Sequence, residues 1–217
     1  GALHHIHTTA SPSVEEYIKL TYDPCVAFNE REGLFKVLLG KEQLDGYLKC
    51  TEVRNFYKTA QEYDDILREA ILLTDKQTKG LESHDIWKGF QPKFARVGDL
   101  CKYVKFFKKL LRSTLEACAS QNILVVELRH TTGCLFDDDR GTIDILDEIG
   151  LIEEIQNDIR KQYPYFRVML ILTCYKIVGP SHAKKILGHI QKANLKYPHL
   201  IAGFDAVNEE EFTPQLD

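Results

Sequence analysis

Residues 123–129 read Ile-Leu-Val-Val-Glu-Leu-Arg, and residues 166–174 read Phe-Arg-Val-Met-Leu-Ile-Leu-Thr-Cys. Both are short apolar runs rich in β-branched and aliphatic residues, which is typical of buried strands. A third run of this kind covers residues 200–205, and helical patterns at 143–162 and 181–195 separate the three. Strands that alternate with helices indicate a parallel sheet and an α/β fold.

The amino-terminal part adds one more strand, at residues 2–7, and a region of weaker pattern. Ser13-Val14-Glu15-Glu16 is a capping-box pattern, which predicts a helix that begins near Val14. Residues 22–58 show no sustained period and carry several charges and glycines, so we expect an irregular insertion with short helical pieces there. A helix is expected at 59–73 and a polar loop at 75–83.

These patterns divide the chain into three parts. Residues 1–22 form the first strand and the segment after it, residues 23–80 form an inserted helical or irregular subdomain, and residues 81–217 form the βα units. Residues 100–120 within the last part predict one long amphipathic helix. Ser181 is the expected cap of the helix that follows Gly179-Pro180.

Two architectures fit this order, a doubly wound open sheet and a (β/α)8 TIM-type barrel. The Gly-x-Gly-x-x-Gly fingerprint of many doubly wound folds does not follow the first strand. Polar residues instead gather at the carboxyl ends of strands, where barrel enzymes place their chemistry. They are His5, His7, Glu127, Arg129 and Asp205. We therefore favour a barrel, of which this chain supplies about the first four strands.

Composition narrows the function classes. Apolar residues make up 44% and charged residues 28% of the chain, which excludes disordered, collagen-like and low-complexity classes. No apolar run reaches the length of a membrane-spanning helix, so no membrane partner is expected. The net charge of −4 does not indicate a nucleic-acid partner.

His5-Ile6-His7 is the sharpest local motif. Alternate side chains of a strand point to the same side, so both imidazoles face one point, which in a barrel is the interior. Two histidines at this spacing can share a Zn²⁺ ion, although a catalytic zinc usually needs three protein ligands. His4 points the other way. The remaining histidines, among them His130, show no ligand spacing and are expected to be solvated or capping.

Other polar and aromatic residues have structural interpretations. Glu127 and Arg129 share a strand face and are expected to pair, because two buried charges are costly unless they do. Asp205 suits either a carboxylate behind a metal ligand or a helix cap. Trp87 has helical spacing with Phe90 and Phe94, which predicts core packing.

The chain has six cysteines and no Cys-x-x-Cys pair, so a structural zinc site of that kind is not expected. Cys25 and Cys50 lie in the irregular region, and both a disulfide and two free thiols remain open. A disulfide would indicate an oxidising compartment.

Several blocks, in order along the chain, resemble the adenosine deaminase family, and most closely its adenosine deaminase growth factor branch of secreted-type enzymes. The first is Gly1-Ala2-Leu3-His4-His5-Ile6-His7, and the second begins at Trp87-Lys88-Gly89-Phe90. The third is Val126-Glu127-Leu128-Arg129. The fourth is Ile201-Ala202-Gly203-Phe204-Asp205-Ala206-Val207, followed by Glu209-Glu210.

The resemblance implies a barrel that holds one zinc ion and hydrolyses adenosine or 2′-deoxyadenosine to the inosine product and ammonia. His5 and His7 match two metal ligands. Gly203, Asp205 and Asn208 match the segment around the purine-contacting loop. The family's third histidine ligand and catalytic glutamate lie in a segment beyond Asp217, so we expect no catalytic residue within this chain and no activity from it alone.

The resemblance also implies a disulfide in the inserted region, for which Cys25 and Cys50 are the candidates, together with a homodimer and secretion. A cytoplasmic location stays open because these residues show no leader. Thr8 and Thr9 depart from the family, which often has an acidic residue there, and Asn208 replaces a glycine that lies close to the purine. Two alternatives follow: an inactive growth-factor-like or binding relative, and a different metal-dependent amidohydrolase.

Overall fold

The computed structural model describes residues 1–208, which form two compact units. The first unit contains residues 1–11 and the chain from Leu111 onward, and the second contains residues 12–110. Within the described residues, no helix is both long and apolar enough to cross a bilayer.

The described chain contains seven strands, eight α-helices and one 3-10 turn. In chain order they are β1 (Ala2–His7), α1 (Val14–Leu20), β2 (Val26–Asn29), β3 (Leu34–Val37), β4 (Leu48–Lys49), α2 (Cys50–Arg54), α3 (Ala60–Ile71), α4 (Asp75–Thr78), α5 (Ser83–Lys102), α6 (Val104–Ser120), β5 (Val125–His130), α7 (Ile145–Arg160), β6 (Arg167–Tyr175), the 3-10 turn (Lys176–Val178), α8 (Pro180–Lys196) and β7 (Ile201–Val207).

A four-stranded sheet organises the first unit. Its order is β1-β5-β6-β7, and every neighbouring pair is parallel. Helix α7 connects β5 to β6, and helix α8 connects β6 to β7. This sequential order of parallel strands is that of successive strands in a (β/α)8 barrel. The predicted α/β fold of the barrel type is confirmed for four strands.

The core of this unit lies under the two inner strands. Val126 and Leu128 of β5 and Leu170 and Leu172 of β6 are fully buried, and so are isoleucines of α7 such as Ile152. Each such side chain contributes roughly 1.5–3 kcal/mol by leaving water. The buried positions alternate along β5, which places the intervening Glu127 and Arg129 on the other face of the sheet.

The second unit contains an antiparallel sheet that the sequence analysis missed. Strands β2 and β3 form a hairpin, β4 pairs with the other side of β2, and the expected irregular insertion is therefore wrong for this segment. Strand β2 is four residues long and entirely buried, so it has no alternation to recognise. Gly33 takes φ +66° in the hairpin loop, a conformation that glycine adopts without strain.

Helix boundaries differ from the predictions at three points. The expected helix at 100–120 is interrupted at Tyr103, which has an extended ψ of 118° between α5 and α6. The expected loop at 75–83 contains the short helix α4. Gly179, rather than Ser181, occupies the N-cap of α8, and Pro180 takes the first helical position, where its missing N–H costs no hydrogen bond.

Candidate functional site

His5 and His7 converge as their spacing predicts. Their Nε2 atoms lie 3.1 Å apart, and their ring centroids are 5.1 Å apart. Two nitrogens that each lie 2.0–2.1 Å from one tetrahedral zinc ion would be roughly 3.3–3.4 Å apart. The pair therefore fits two ligand positions of a single metal ion.

The surroundings of His7 favour a neutral ring. The pKa of His7 is lowered from its ordinary value, first by burial and then by the nearby His5 and Arg129, while Asp205 acts in the opposite direction. A neutral imidazole is the form that binds a metal, because a proton would otherwise occupy the ligand nitrogen.

Two ligands do not complete a catalytic zinc site, which usually has three from the protein. Among residues 1–208, no group of three or more histidine, cysteine, aspartate or glutamate side chains is arranged to hold a metal ion. The described part of the chain therefore offers a matched pair of ligands and not a complete coordination set.

Arg129 connects the strands beside this pair. Its Nε donates to Asp205 Oδ2 at 3.2 Å, and its Nη1 donates to the backbone oxygen of His4. Glu127 lies within ion-pair distance of the same guanidinium, at 3.8 Å, and 3.4 Å from His4 Nδ1. The nearer carboxylate partner of Arg129 is thus Asp205 of β7, and not Glu127 of its own strand.

The residues predicted to lie near a purine are on or next to β7. Gly203 has space for ordinary contact only, because a Cβ built on it would lie 3.4 Å from Ile171 Cδ1. Asn208 follows the strand and is half-buried. A substrate-binding role for Gly203, Asp205 and Asn208 stays a prediction, and Glu209 and Glu210 lie outside the described residues.

Trp87 lies in α5 of the second unit and begins a row of three neighbouring rings that meet at tilted and edge-on angles. Its ring centroid is 5.6 Å from that of Phe90, which is 4.9 Å from that of Phe94. The indole Nε1 is buried without a hydrogen-bond partner in the described part of the chain. Phe90 and Phe94 are each more than a third exposed, so the row is not a fully buried core.

Cys25 and Cys50 are free thiols in this structure. Cys25 is half-buried and Cys50 is buried, and burial raises the pKa of each thiol to about 12. Their pairing in a disulfide stays a prediction.

A buried polar group that the sequence did not predict lies next to the histidine pair. His130, which was expected to be solvated or capping, is 2% exposed, and its Nε2 lies 2.7 Å from Glu148 Oε1. Its Nδ1 lies 3.3 Å from Thr8 Oγ1. The only available signal was the alternation of β5, which turns His130 to the face opposite Arg129.

Comparisons with known proteins agree with the sequence blocks. No protein-family model matches the chain. Curated relatives match over 97% of it: an adenosine deaminase of Lutzomyia longipalpis at 24% identity, adenosine deaminase 2-A of Danio rerio at 25% and adenosine deaminase 2 of Sus scrofa at 22%. The chain spans 43–44% of the length of these relatives.

A solved amidohydrolase from Burkholderia ambifaria, with bound zinc, matches 65% of this chain and 40% of its own, at 16% identity and a TM-score of 0.47. Over almost all of its length the chain is similar to adenosine deaminases, among them one named adenosine deaminase 2-A and one named adenosine deaminase 2, and the resemblance that its sequence blocks predict is confirmed.

Proposed function

We propose that this chain is part of a zinc-dependent enzyme that hydrolyses adenosine or 2′-deoxyadenosine to the inosine product and ammonia. The observation that carries the proposal is the 3.1 Å separation of His5 Nε2 and His7 Nε2 on the first strand of a parallel sheet. The similarity to adenosine deaminases along the chain supports the choice of substrate. The described residues would supply part of the catalytic domain and two of the metal ligands.

In this proposal His5 and His7 hold the metal ion through their Nε2 atoms. When bound there, zinc would lower the pKa of a water molecule, and hydrolytic deamination requires such a nucleophile. The lowered pKa of His7 keeps its ring unprotonated near neutral pH and available to the metal.

Arg129 and Asp205 position the neighbouring strand ends. The guanidinium holds the His4 carbonyl of β1 and the Asp205 carboxylate of β7, so it fixes two strands that the sheet separates. Arg129 contacts Asp205 Oδ2, which leaves Oδ1 for a further contact. A nucleoside bound there would lie near Gly203 of β7 and near Asn208, which follows the strand. We include a small-molecule nucleoside partner, a homodimer and an extracellular location in the proposal.

The test uses the complete protein that carries this chain. We expect about one zinc ion per chain by elemental analysis and ammonia release from adenosine. His5→Ala and His7→Ala should each abolish both, because each removes a ligand. His4→Ala is the matched control, since the His4 side chain is 76% exposed and contacts Glu127 rather than the histidine pair.

The outcomes separate the alternatives. Zinc binding without any release of ammonia from adenosine would favour a different amidohydrolase. A complete protein that bound no zinc and had no deaminase activity would contradict the proposal and favour an inactive binding relative.

A further inference from the structure

A chain of three polar side chains lies behind the histidine pair. His130 is the last residue of β5, and Glu148 lies in the first turn of α7, with side chains that are 3% and 0% exposed. His130 Nε2 lies 2.7 Å from Glu148 Oε1, and His130 Nδ1 lies 3.3 Å from Thr8 Oγ1. Thr8 directly follows His7.

The chemistry of the carboxylate sets the direction of the hydrogen bond between His130 and Glu148. A carboxylate only accepts, so His130 donates its Nε2 proton to Glu148. His130 Nδ1 lies within hydrogen-bond distance of the Thr8 hydroxyl, which also lies 3.5 Å from the Arg129 backbone oxygen and donates to it. Glu148 Oε2 accepts a further bond from the Gly133 backbone N–H at 2.9 Å, so both of its oxygens are satisfied.

Stability alone does not explain why a histidine and a glutamate are buried together here. Removing a carboxylate from water costs several kcal/mol, and apolar replacements of buried polar pairs are often neutral or stabilising. Leu128 of β5 and Ile149 of α7, which are near neighbours of the two residues in sequence, are fully buried, and His189 is close enough to Glu148 to feel its charge. Buried polar groups that persist in such places can serve conformational specificity.

The polar group contacts the chain at the end of β1, so the conformation that it would specify is that of the backbone at His7 and Thr8. His7 lies opposite Arg129 in the β1–β5 register, and the Thr8 backbone N–H donates to the Arg129 backbone oxygen at 3.1 Å. Because side chains alternate, His7 faces the metal side of the sheet and Thr8 faces the helix side. The backbone oxygen of His7 is held by Ser11, whose Oγ donates to it at 2.7 Å.

We propose that His130 and Glu148 are positioning residues for the metal site, acting through Thr8. They fix the Thr8 side chain on one face of the strand and thereby set the backbone from which the His7 imidazole projects on the other. This inference rests on the proposed metal-binding role of His7. We therefore expect that loss of the Thr8 hydroxyl weakens metal binding, although this hydroxyl does not touch the metal.

The test compares metal binding by variants of the complete protein. Thr8→Val removes the hydroxyl that contacts His130 Nδ1 and nearly keeps the side-chain shape, and we expect the zinc Kd to rise about tenfold. The visible absorption spectrum of the Co²⁺-substituted protein should shift, because it reports ligand geometry. Thr8→Ser should restore both. Glu148→Gln, which keeps the volume and removes the charge that orients the ring, should weaken zinc binding in the same direction.

Thr132→Val is the matched control. Thr132 lies in the loop after β5, and its Oγ1 lies 2.7 Å from His189 Nδ1, so this variant removes a hydroxyl bond of the same loop away from β1. We expect a similar loss of thermal stability with unchanged zinc affinity.

Three results would overturn the inference. An unchanged zinc Kd and Co²⁺ spectrum in Thr8→Val would show that the hydroxyl does not position His7. An equal loss of zinc affinity in Thr132→Val would mean general loosening of the loop. A wild-type protein that bound no zinc at all would overturn the proposed function as well, which distinguishes that failure from the first two.

Discussion

Arg54 shows at the scale of single residues what holds the second unit together. Its side chain is 7% exposed, and its Nε and Nη2 donate to Asp64 Oδ1 at 3.0 and 2.7 Å. Nη1 donates to the backbone oxygens of Thr21 and Cys50, and the guanidinium lies 3.8 Å from the centre of the Tyr22 ring. One residue thereby connects α2 to α3 and to the end of α1.

Arg54→Met should be strongly destabilising. It leaves the buried Asp64 carboxylate without its cation, which typically costs about 3–5 kcal/mol. Urea unfolding followed by Trp87 fluorescence measures the loss, since the single tryptophan lies in the same unit. Lys88→Met is the control, because it breaks an exposed pair with Asp85 and should cost less than about 1 kcal/mol. Equal costs for the two variants would contradict the assignment of Arg54 as a buried, structural cation.

The lowered pKa of His189 predicts that the stability of the folded protein depends on pH. Burial, followed by the charge of Lys185, lowers its pKa from the ordinary 6.5. Above pH 6.5 the ring is neutral in the folded and unfolded states, so its contribution to stability is fully present. As the pH falls from 6.5 through the folded pKa, the unfolded state takes up the proton first and stability is lost.

NMR titration of the His189 ring should therefore give a midpoint below 6.5. His189→Gln should flatten the decline of the unfolding free energy between about pH 6.5 and 5. A midpoint at or above 6.5 would contradict the burial of this ring.

At the scale of elements, two glycines in the loop from β3 to β4 differ in what surrounds them. Gly40 and Gly46 both have positive φ, +59° and +75°. A Cβ on Gly40 would meet nothing within 4 Å, whereas a Cβ on Gly46 would lie 2.7 Å from Asn29 Nδ2. Asn29 is 5% exposed, and its Oδ1 accepts from the Glu32 N–H at 3.0 Å, so it has little freedom to move.

Gly40→Ala should cost only the backbone strain of a left-handed residue, about 1–2 kcal/mol. Gly46→Ala should cost more, because it adds a steric clash with Asn29 at the end of β2. Parallel thermal unfolding of the two variants gives the comparison, and an equal loss in Tm would show that Asn29 moves aside freely.

At the scale of the whole molecule, the described residues form two cores, one in each compact unit. The first lies under β5 and β6, where Leu128 and Leu170 are fully buried, and the second includes Val26 and Val37 of the antiparallel sheet. Each unit therefore contains apolar burial of its own, which is the usual basis of a cooperative folding unit.

Native-state hydrogen exchange should show a slow group of amides in both units. We expect the amides of β5 and β6 to be among the slowest, because each strand has a hydrogen-bonded neighbour on both sides. The two-residue strand β4 should exchange faster than either. Protection of β4 equal to that of β6, or a slow group in one unit only, would contradict this picture of two cores.

The sequence by itself determined the parallel α/β unit and the histidine pair. The β-branched runs at 123–129 and 166–174 and the helices between them specify the sheet, because apolar strands that alternate with helices are typical of parallel sheets. The spacing of His5 and His7 determined their shared direction, since strand side chains alternate. The similarity to adenosine deaminases was also readable, because its blocks are local.

Only the tertiary structure decided what depends on contacts between distant segments. The hairpin of β2 and β3 escaped detection because all four residues of β2 are buried and β3 alternates over only four residues, which is too short for a sustained period. The partner of Arg129 proved to be Asp205, 76 residues away, and the buried partner of His130 proved to be Glu148. Charge and hydrogen-bond complementarity between such residues is a property of packing, and a residue's own neighbours in the chain do not encode it.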